Sequence, residues 1–185
     1  MELILASNSP RRKELLEKYG FKFKIVPSNF NEDELKSSHV ETVKSYAFNK
    51  ALDVFNRLKQ DDVVVLGADT IVYLDGKILG KPKNVNQAIS MLSSLSGKTH
   101  EVITAYSLIR KDKILTDYVT SKVTFNVLDK NLILEYVNTG SPLDKAGAYG
   151  IQDGFDLVKE IEGSFNNVVG LPIEIIKDII FDFIK

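Results

Sequence analysis

Asp69 stands directly after the run Val63-Val64-Val65-Leu66-Gly67-Ala68. A carboxylate at the C-terminal end of a buried apolar strand can bind a metal or take a proton from water, and ligand sites in open α/β sheets favour that edge. The competing reading is a turn carboxylate that caps a nearby N–H. The second candidate is Ser7-Asn8-Ser9-Pro10-Arg11-Arg12, which follows the short apolar stretch 2–6. Ser9 reads as a helix N-cap and Pro10 as the first helical residue, where its missing N–H costs nothing. The free N–H groups and dipole of a helix start favour an anion, and arginine is shaped to fork onto phosphate oxygens. Arg11 and Arg12 oppose that dipole, so the alternative is a capped surface helix with two solvated arginines.

Other positions carry weaker signals. Glu32 and Asp33 lie in a polar loop and could supply oxygen ligands to Mg²⁺, but Asp33 and Glu34 are equally acidic and the pattern does not choose among them. Lys81, in Gly80-Lys81-Pro82, is a cation whose backbone Pro82 restricts. Lys50 falls in the middle of a helix, where a solvated lysine is the ordinary finding. Residues 144–152 combine small residues, which permit close backbone approach to a ligand, with Gln152, which could pair with the amide-like edge of a nucleobase. A flexible loop is the alternative there. His39 and His100 read as structural.

The elements that must position these residues follow from periodicity. Residues 2–6 predict a short strand, Pro10 to about Tyr19 a helix stopped by Gly20, and 21–27 a second strand. Residues 28–38 read as loop. Val43, Ala47, Ala51, Val54 and Leu58 mark a helix over about 39–58. Residues 63–66 predict a buried strand leading into Gly67-Ala68-Asp69-Thr70, and 71–79 a hairpin turning at Asp75-Gly76. Asn84 caps a helix to about Leu95. Strands at 101–110 and 114–127 flank a turn at 111–113, and Asp129 caps a helix over about 130–138. A glycine-rich segment at 144–154 and a short strand precede a last helix opened by Pro172, with Ile173, Ile176, Ile180 and Ile184 on one face. Interleaved helices and strands predict a mixed α/β fold.

Composition narrows the chemistry. The 185 residues carry a formal net charge of −1, which argues against a general nucleic-acid coat. There is no cysteine, so a thiol nucleophile and a cysteine zinc site are excluded, and two histidines cannot make a three-His site. A divalent metal would rest mainly on carboxylates, which favours Mg²⁺ or Mn²⁺. No run approaches a membrane span and no secretory signal is visible, so the expected location is cytoplasmic. Neither a P-loop nor a Gly-x-Gly-x-x-Gly motif is present.

Six motifs, in order, resemble the Maf family: Leu-Ala-Ser-Asn-Ser-Pro-Arg-Arg (5–12), Gly-Ala-Asp-Thr (67–70), Gly-Lys-Pro (80–82), Ser-Gly-x-x-His (96–100), Leu-Asp-Lys-Ala-Gly-Ala-Tyr-Gly-Ile-Gln (143–152) and Val-Val-Gly-Leu-Pro (168–172). The resemblance covers essentially the whole chain. It implies a single Maf-like domain over 1–185, an α/β fold whose mixed central sheet carries two lobes around a cleft, distantly like the inosine triphosphate pyrophosphatases. It also implies an enzyme that hydrolyses nucleoside triphosphates to monophosphate and pyrophosphate with a divalent cation.

Residue by residue, the resemblance puts the proton acceptor on Asp69 and the acidic metal position on Glu32, with Asp69 sharing the metal. It puts phosphate binding on Ser7, Ser9, Arg11, Lys50 and Lys81, and base preference on Arg12, Thr70 and Gln152. Arg, Thr and Gln at those three positions resemble the dTTP/UTP type; the 7-methyl-GTP type is expected to carry Glu in place of Gln152. House-cleaning of non-standard nucleotides and a homodimer are further expectations of the resemblance. Two departures stand out: Asn31 replaces a usual acid before Glu32, and Asp153-Gly154-Phe155 replaces a Gly-rich continuation after Gln152. The reading from another class is a nucleotide- or nucleic-acid-binding regulator of cell division with little catalysis, against which the near-neutral charge and the acid–cation set both speak.

Overall fold

The computed structural model describes residues 1–32 and 38–185; Asp33 and Glu34, weighed above as metal ligands, lie outside the described residues. The strands are β1 (Glu2–Leu5), β2 (Phe23–Ile25), β3 (Val63–Leu74), β4 (Lys77–Leu79), β5 (Thr99–Arg110), β6 (Lys113–Phe125) and β7 (Val158–Glu162). The helices are α1 (Pro10–Lys18), α2 (His39–Leu58), α3 (Val85–Leu95), α4 (Lys130–Asn138), α5 (Phe165–Val169) and α6 (Ile173–Ile184). The sheet runs β2-β1-β3-β5-β6-β7 with β4 beside β3. β1 pairs in parallel with β2 and β3, whereas β3·β4 and β6·β7 are antiparallel, so the expected mixed α/β sheet is present.

The chain divides into two compact units. The first holds Met1–Asp69, Thr104–Val119 and Gly170–Lys185; the second holds Thr70–Ile103 and Thr120–Val169. In the first, Ile4, Val63 and Val65 of the sheet pack with Ala51 and Val54 of α2. In the second, Val72, Leu92, Leu95, Phe125 and Tyr136 form the centre of a separate cluster.

Several boundaries differ from the sequence expectation. Residues 63–74 form one continuous strand rather than a strand, a loop and a hairpin arm. The glycine of Gly67-Ala68 marks a close helix crossing and not a turn. Asp69 therefore sits inside β3 and not at its end. Its relation to the parallel edge survives in another form, because the last β1·β3 pair is Leu5↔Leu66 and β3 runs on beyond it. β2 is shorter than 21–27 because only three residues pair with β1. Part of the glycine-rich segment is ordered into two short 3₁₀ turns, Ser141–Asp144 and Ala146–Ala148. At five residues, α5 is too short for its periodicity to be read from the sequence. On α6, Ile173, Ile176, Ile180 and Phe183 are buried, while Ile184 is only partly so.

Gly67 explains how α2 reaches the sheet. A Cβ there would lie against the carbonyl oxygen of Ala47, 2.7 Å from the amide nitrogen of Ala51 and 2.9 Å from its Cβ. Two of these atoms belong to helix backbone, so no rotamer change relieves them. Gly67→Ala is expected to lower unfolding stability by about 1–3 kcal/mol, the usual range for overpacking. Urea titration checks this, and an unchanged midpoint would refute the close-approach account.

Candidate active site

The same helix crossing sets the geometry around Asp69. Lys50 lies on α2 between Ala47 and Ala51, the residues that meet Gly67, and Asp69 lies two residues beyond Gly67 on β3. Lys50 Nζ donates to Asp69 Oδ1 at 2.6 Å and pairs with Glu32 Oε1 at 2.5 Å. The mid-helix lysine expected to be solvated is thus the shared partner of two carboxylates. Its side chain keeps 13% of its exposure, and that of Asp69 keeps 9%. Burial is the largest influence on Asp69 and pushes its carboxyl above the ordinary carboxylate value. Lys50 and Arg12 oppose this and Glu32 reinforces it, with a net upward direction.

Glu32 is brought to Lys50 by contacts along its own loop. Tyr46 on α2 donates its hydroxyl to the Glu32 carbonyl at 2.7 Å, and the Phe30 ring lies 5.9 Å from the Tyr46 ring. Further back, Asp53 accepts from the Asn29 N–H at 2.8 Å and from Ser28 Oγ at 3.1 Å. Arg57, one turn along α2, donates to Asp53 and to the Pro27 carbonyl. Nothing in the sequence pattern marks Tyr46 or Asp53 for this work, since each reads as an ordinary helix residue.

The opening loop forms as expected. Ser9 caps α1, accepting from the Arg12 N–H at 3.5 Å, and Ser7 Oγ accepts from the Ser9 N–H at 3.1 Å. Because both hydroxyls accept here, their protons remain available for an oxyanion. Arg12 departs from the solvated-arginine alternative: it is buried, its Nε donates to the Gly170 carbonyl at 2.9 Å and its Nη1 to Ser7 Oγ at 3.2 Å. Burial pushes the Arg12 guanidinium down from its ordinary value, against the attraction of Asp69. The Val-Val-Gly-Leu-Pro motif therefore contributes a carbonyl that fixes an arginine. Arg11, next to it, is half-buried.

Ser7, Ser9, Arg11, Arg12, Glu32, Lys50 and Asp69 all belong to the first unit, whereas Thr70, Lys81 and Gln152 belong to the second. Thr70 is half-buried on β3, and Lys81 and Gln152 are exposed. The backbone around Lys81 is held at both ends: the Gly80 carbonyl accepts from the Gly147 N–H at 3.1 Å, and the Lys83 N–H donates to Gln87 Oε1 at 2.6 Å. His100 is structural, as expected, bonding Tyr149 Oη through Nε2 at 2.7 Å, and burial pushes it down to about 4. Among the described residues, no three acidic or His side chains gather as a metal cluster, and no helix is long and apolar enough to cross a membrane.

An acid–lysine–acid group beside a capped helix start, in a mixed α/β chain, narrows the class, and comparison with known proteins gives the family. The chain belongs to the Maf-like protein family, whose model matches residues 2–183. It is 47% identical over 179 residues to a dTTP/UTP pyrophosphatase of Clostridium tetani, covering 94% of this chain and 93% of that one. It is 49% identical to a dTTP/UTP pyrophosphatase of Pyrococcus furiosus, covering 95% and 92%. A solved nucleoside-triphosphatase / dITP/XTP pyrophosphatase of Mycobacterium abscessus is similar at 14% identity and a TM-score of 0.40 over 68% of this chain and 73% of that chain, too distant to add to the family assignment.

The buried carboxyl has a consequence for stability. An acid whose pKa is raised on folding favours the fold while protonated and opposes it once ionised. That contribution is present below the ordinary carboxylate value and is lost as pH rises through the higher folded value. Asp69→Asn does not titrate, so its stability relative to wild type is expected to rise as pH increases from about 4 towards 8. Thermal melts of both proteins across that range check the sign, and a relative stability that falls with pH contradicts it.

Proposed function

We propose that this chain hydrolyses dTTP and UTP to the monophosphate and pyrophosphate, with Asp69 as general base. The observation that carries the reading is the convergence of Glu32 and Asp69 on the Lys50 ammonium, both within 2.6 Å. Pure binding of a triphosphate needs no pair of carboxylates beside it, because like charges repel. Family membership and the names of relatives that match over nine-tenths of their length support the reaction. One family model spanning residues of both units supports treating 1–185 as a single Maf-like domain.

The two carboxylates fit a hard divalent cation. Their oxygens already converge on one positive centre, and Mg²⁺ or Mn²⁺ takes such oxygens together with phosphate oxygens and water. Bound there, the cation would neutralise phosphate charge and polarise the phosphoryl group. In the reaction, water oxygen bonds to the α-phosphorus while the bond to the bridging oxygen breaks, and pyrophosphate leaves. Asp69 takes the water proton. Ser7, Ser9, Arg11, Lys50 and Lys81 bind phosphate oxygens in this reading, and Arg12, Thr70 and Gln152 select the base. A cytoplasmic location, where nucleoside triphosphates are available, belongs to the same reading.

Asp69→Asn is expected to lower kcat by about 10²–10⁴-fold, the usual worth of positioned proton transfer, while keeping the fold. Near wild-type pyrophosphate release would sink the assignment of Asp69. In wild type, kcat/KM should rise with pH through a group titrating above the ordinary carboxylate value, because only ionised Asp69 accepts the proton. A panel of dTTP, UTP, CTP, GTP and 7-methyl-GTP, read by pyrophosphate release, tests the substrate class. Preference for 7-methyl-GTP over dTTP and UTP would overturn the reading of Arg12, Thr70 and Gln152.

A further inference from the structure

Within the second unit, one buried hydroxyl holds the Gly150 backbone before Gln152 and the Asp153 side chain after it. Tyr136 on α4 is fully buried, and its hydroxyl accepts from the Gly150 N–H at 2.9 Å. The same hydroxyl donates to Asp153 Oδ2 at 2.5 Å. Residues 150 and 153 bracket Ile151-Gln152. The Tyr136 ring lies 4.7 Å from the Phe155 ring, so it also meets the segment beyond. Asp153-Gly154-Phe155, the departure from the family pattern, is thus the stretch that Tyr136 grips.

Asp153 has further partners. Its Oδ2 accepts from Ser141 Oγ at 2.8 Å and lies 3.6 Å from Lys145 Nζ. Lys145 is itself buried, donating to the Ser141 carbonyl at 2.6 Å, to Ser141 Oγ at 2.9 Å and to Asp144 at 2.8 Å. The packing leaves little slack: a Cβ on Gly150 would stand 2.8 Å from Asp153 Oδ1 and from Lys145 Cε. Gly147 and Ala148, just before, both take left-handed backbone, at φ 66° and 62°. Ala148 is strained there and is held by its surroundings. Burial, then the bond to Asp153, pushes the Tyr136 phenol up, so it remains a proton donor across the neutral range.

We propose that Tyr136 and Asp153 are positioning residues for substrate selection, fixing the backbone that presents Gln152 to the nucleobase. The inference rests on the base-selecting role given to Gln152 above. Neither residue touches substrate. Their effect reaches it through the placement of an exposed side chain whose neighbours on both sides are pinned to one hydroxyl.

The test uses the full chain with Tyr136→Phe, which removes the hydroxyl and keeps the ring, and Asp153→Asn as a second variant. Amide exchange at Gly150 is expected to quicken by about tenfold in Tyr136→Phe, the effect of losing one hydrogen bond, with β1 and β3 amides unchanged. The ratio of kcat/KM for dTTP to that for CTP is expected to fall by about tenfold in both variants, through KM more than kcat. On a Gln152→Ala background, Tyr136→Phe should leave that ratio unchanged, because the two substitutions act through one group. A wild-type ratio in both variants, or an equal loss on the Gln152→Ala background, overturns the proposal and leaves Tyr136 a stabilising residue only. If wild type turns over neither dTTP nor UTP, the activity reading is what fails. Gly150 exchange then still decides the bracket, and unchanged protection in Tyr136→Phe overturns it.

Discussion

The structure around Asp69 depends on one largely enclosed ammonium. Lys50 Nζ stands between Glu32 and Asp69, and it can do so only because α2 lies directly on β3 at Gly67. Buried carboxylates are costly unless paired, and two of them near one another repel as well. A single lysine from the overlying helix offsets both penalties. Arg12 contributes a second positive charge to the same neighbourhood, acting on Asp69 through space while its own hydrogen bonds go to Gly170 and Ser7. The charges balance, two against two, with Asp69 and Arg12 buried and Glu32 open to solvent.

This balance explains why the acid is not an ordinary one. Burial outweighs Lys50 and Arg12, so Asp69 titrates above a solvated carboxylate. A base of raised pKa holds a proton more firmly, and a group poised nearer neutral pH is a better proton acceptor in reaction. The same burial makes ionised Asp69 a burden on the fold. Chemistry and stability therefore pull on this residue in opposite directions, as is common where a site is held in a low-dielectric environment.

The second unit solves a different problem, the placement of exposed side chains on loops. Here the fixing agents are hydrogen bonds to backbone: Tyr136 to Gly150, Gly147 to Gly80, and Gln87 to Lys83. Each ties a loop residue close in sequence to Gln152 or Lys81. These bonds do not charge the site. They fix the backbone from which exposed side chains project, so that those side chains start from one place.

Local signals in the chain were enough for the helix starts at Ser9, Asn84 and Asp129, where each side chain accepts from an N–H three residues on. Alternation and apolar spacing likewise determined most strands, the long α2 helix and the mixed α/β class. Ordered motifs named the candidate residues, Asp69 and Gln152 among them, and with them the family. What the sequence left open was pairing over distance. That Lys50 meets Asp69, that Glu32 shares it, that Arg12 is spent partly on the Gly170 carbonyl and that Tyr136 grips Asp153 all join positions 17 to 158 residues apart. Such partners are selected by which faces pack together, and the continuity of β3 belongs with them, because a glycine that admits a helix looks the same, in a sequence, as one that makes a turn.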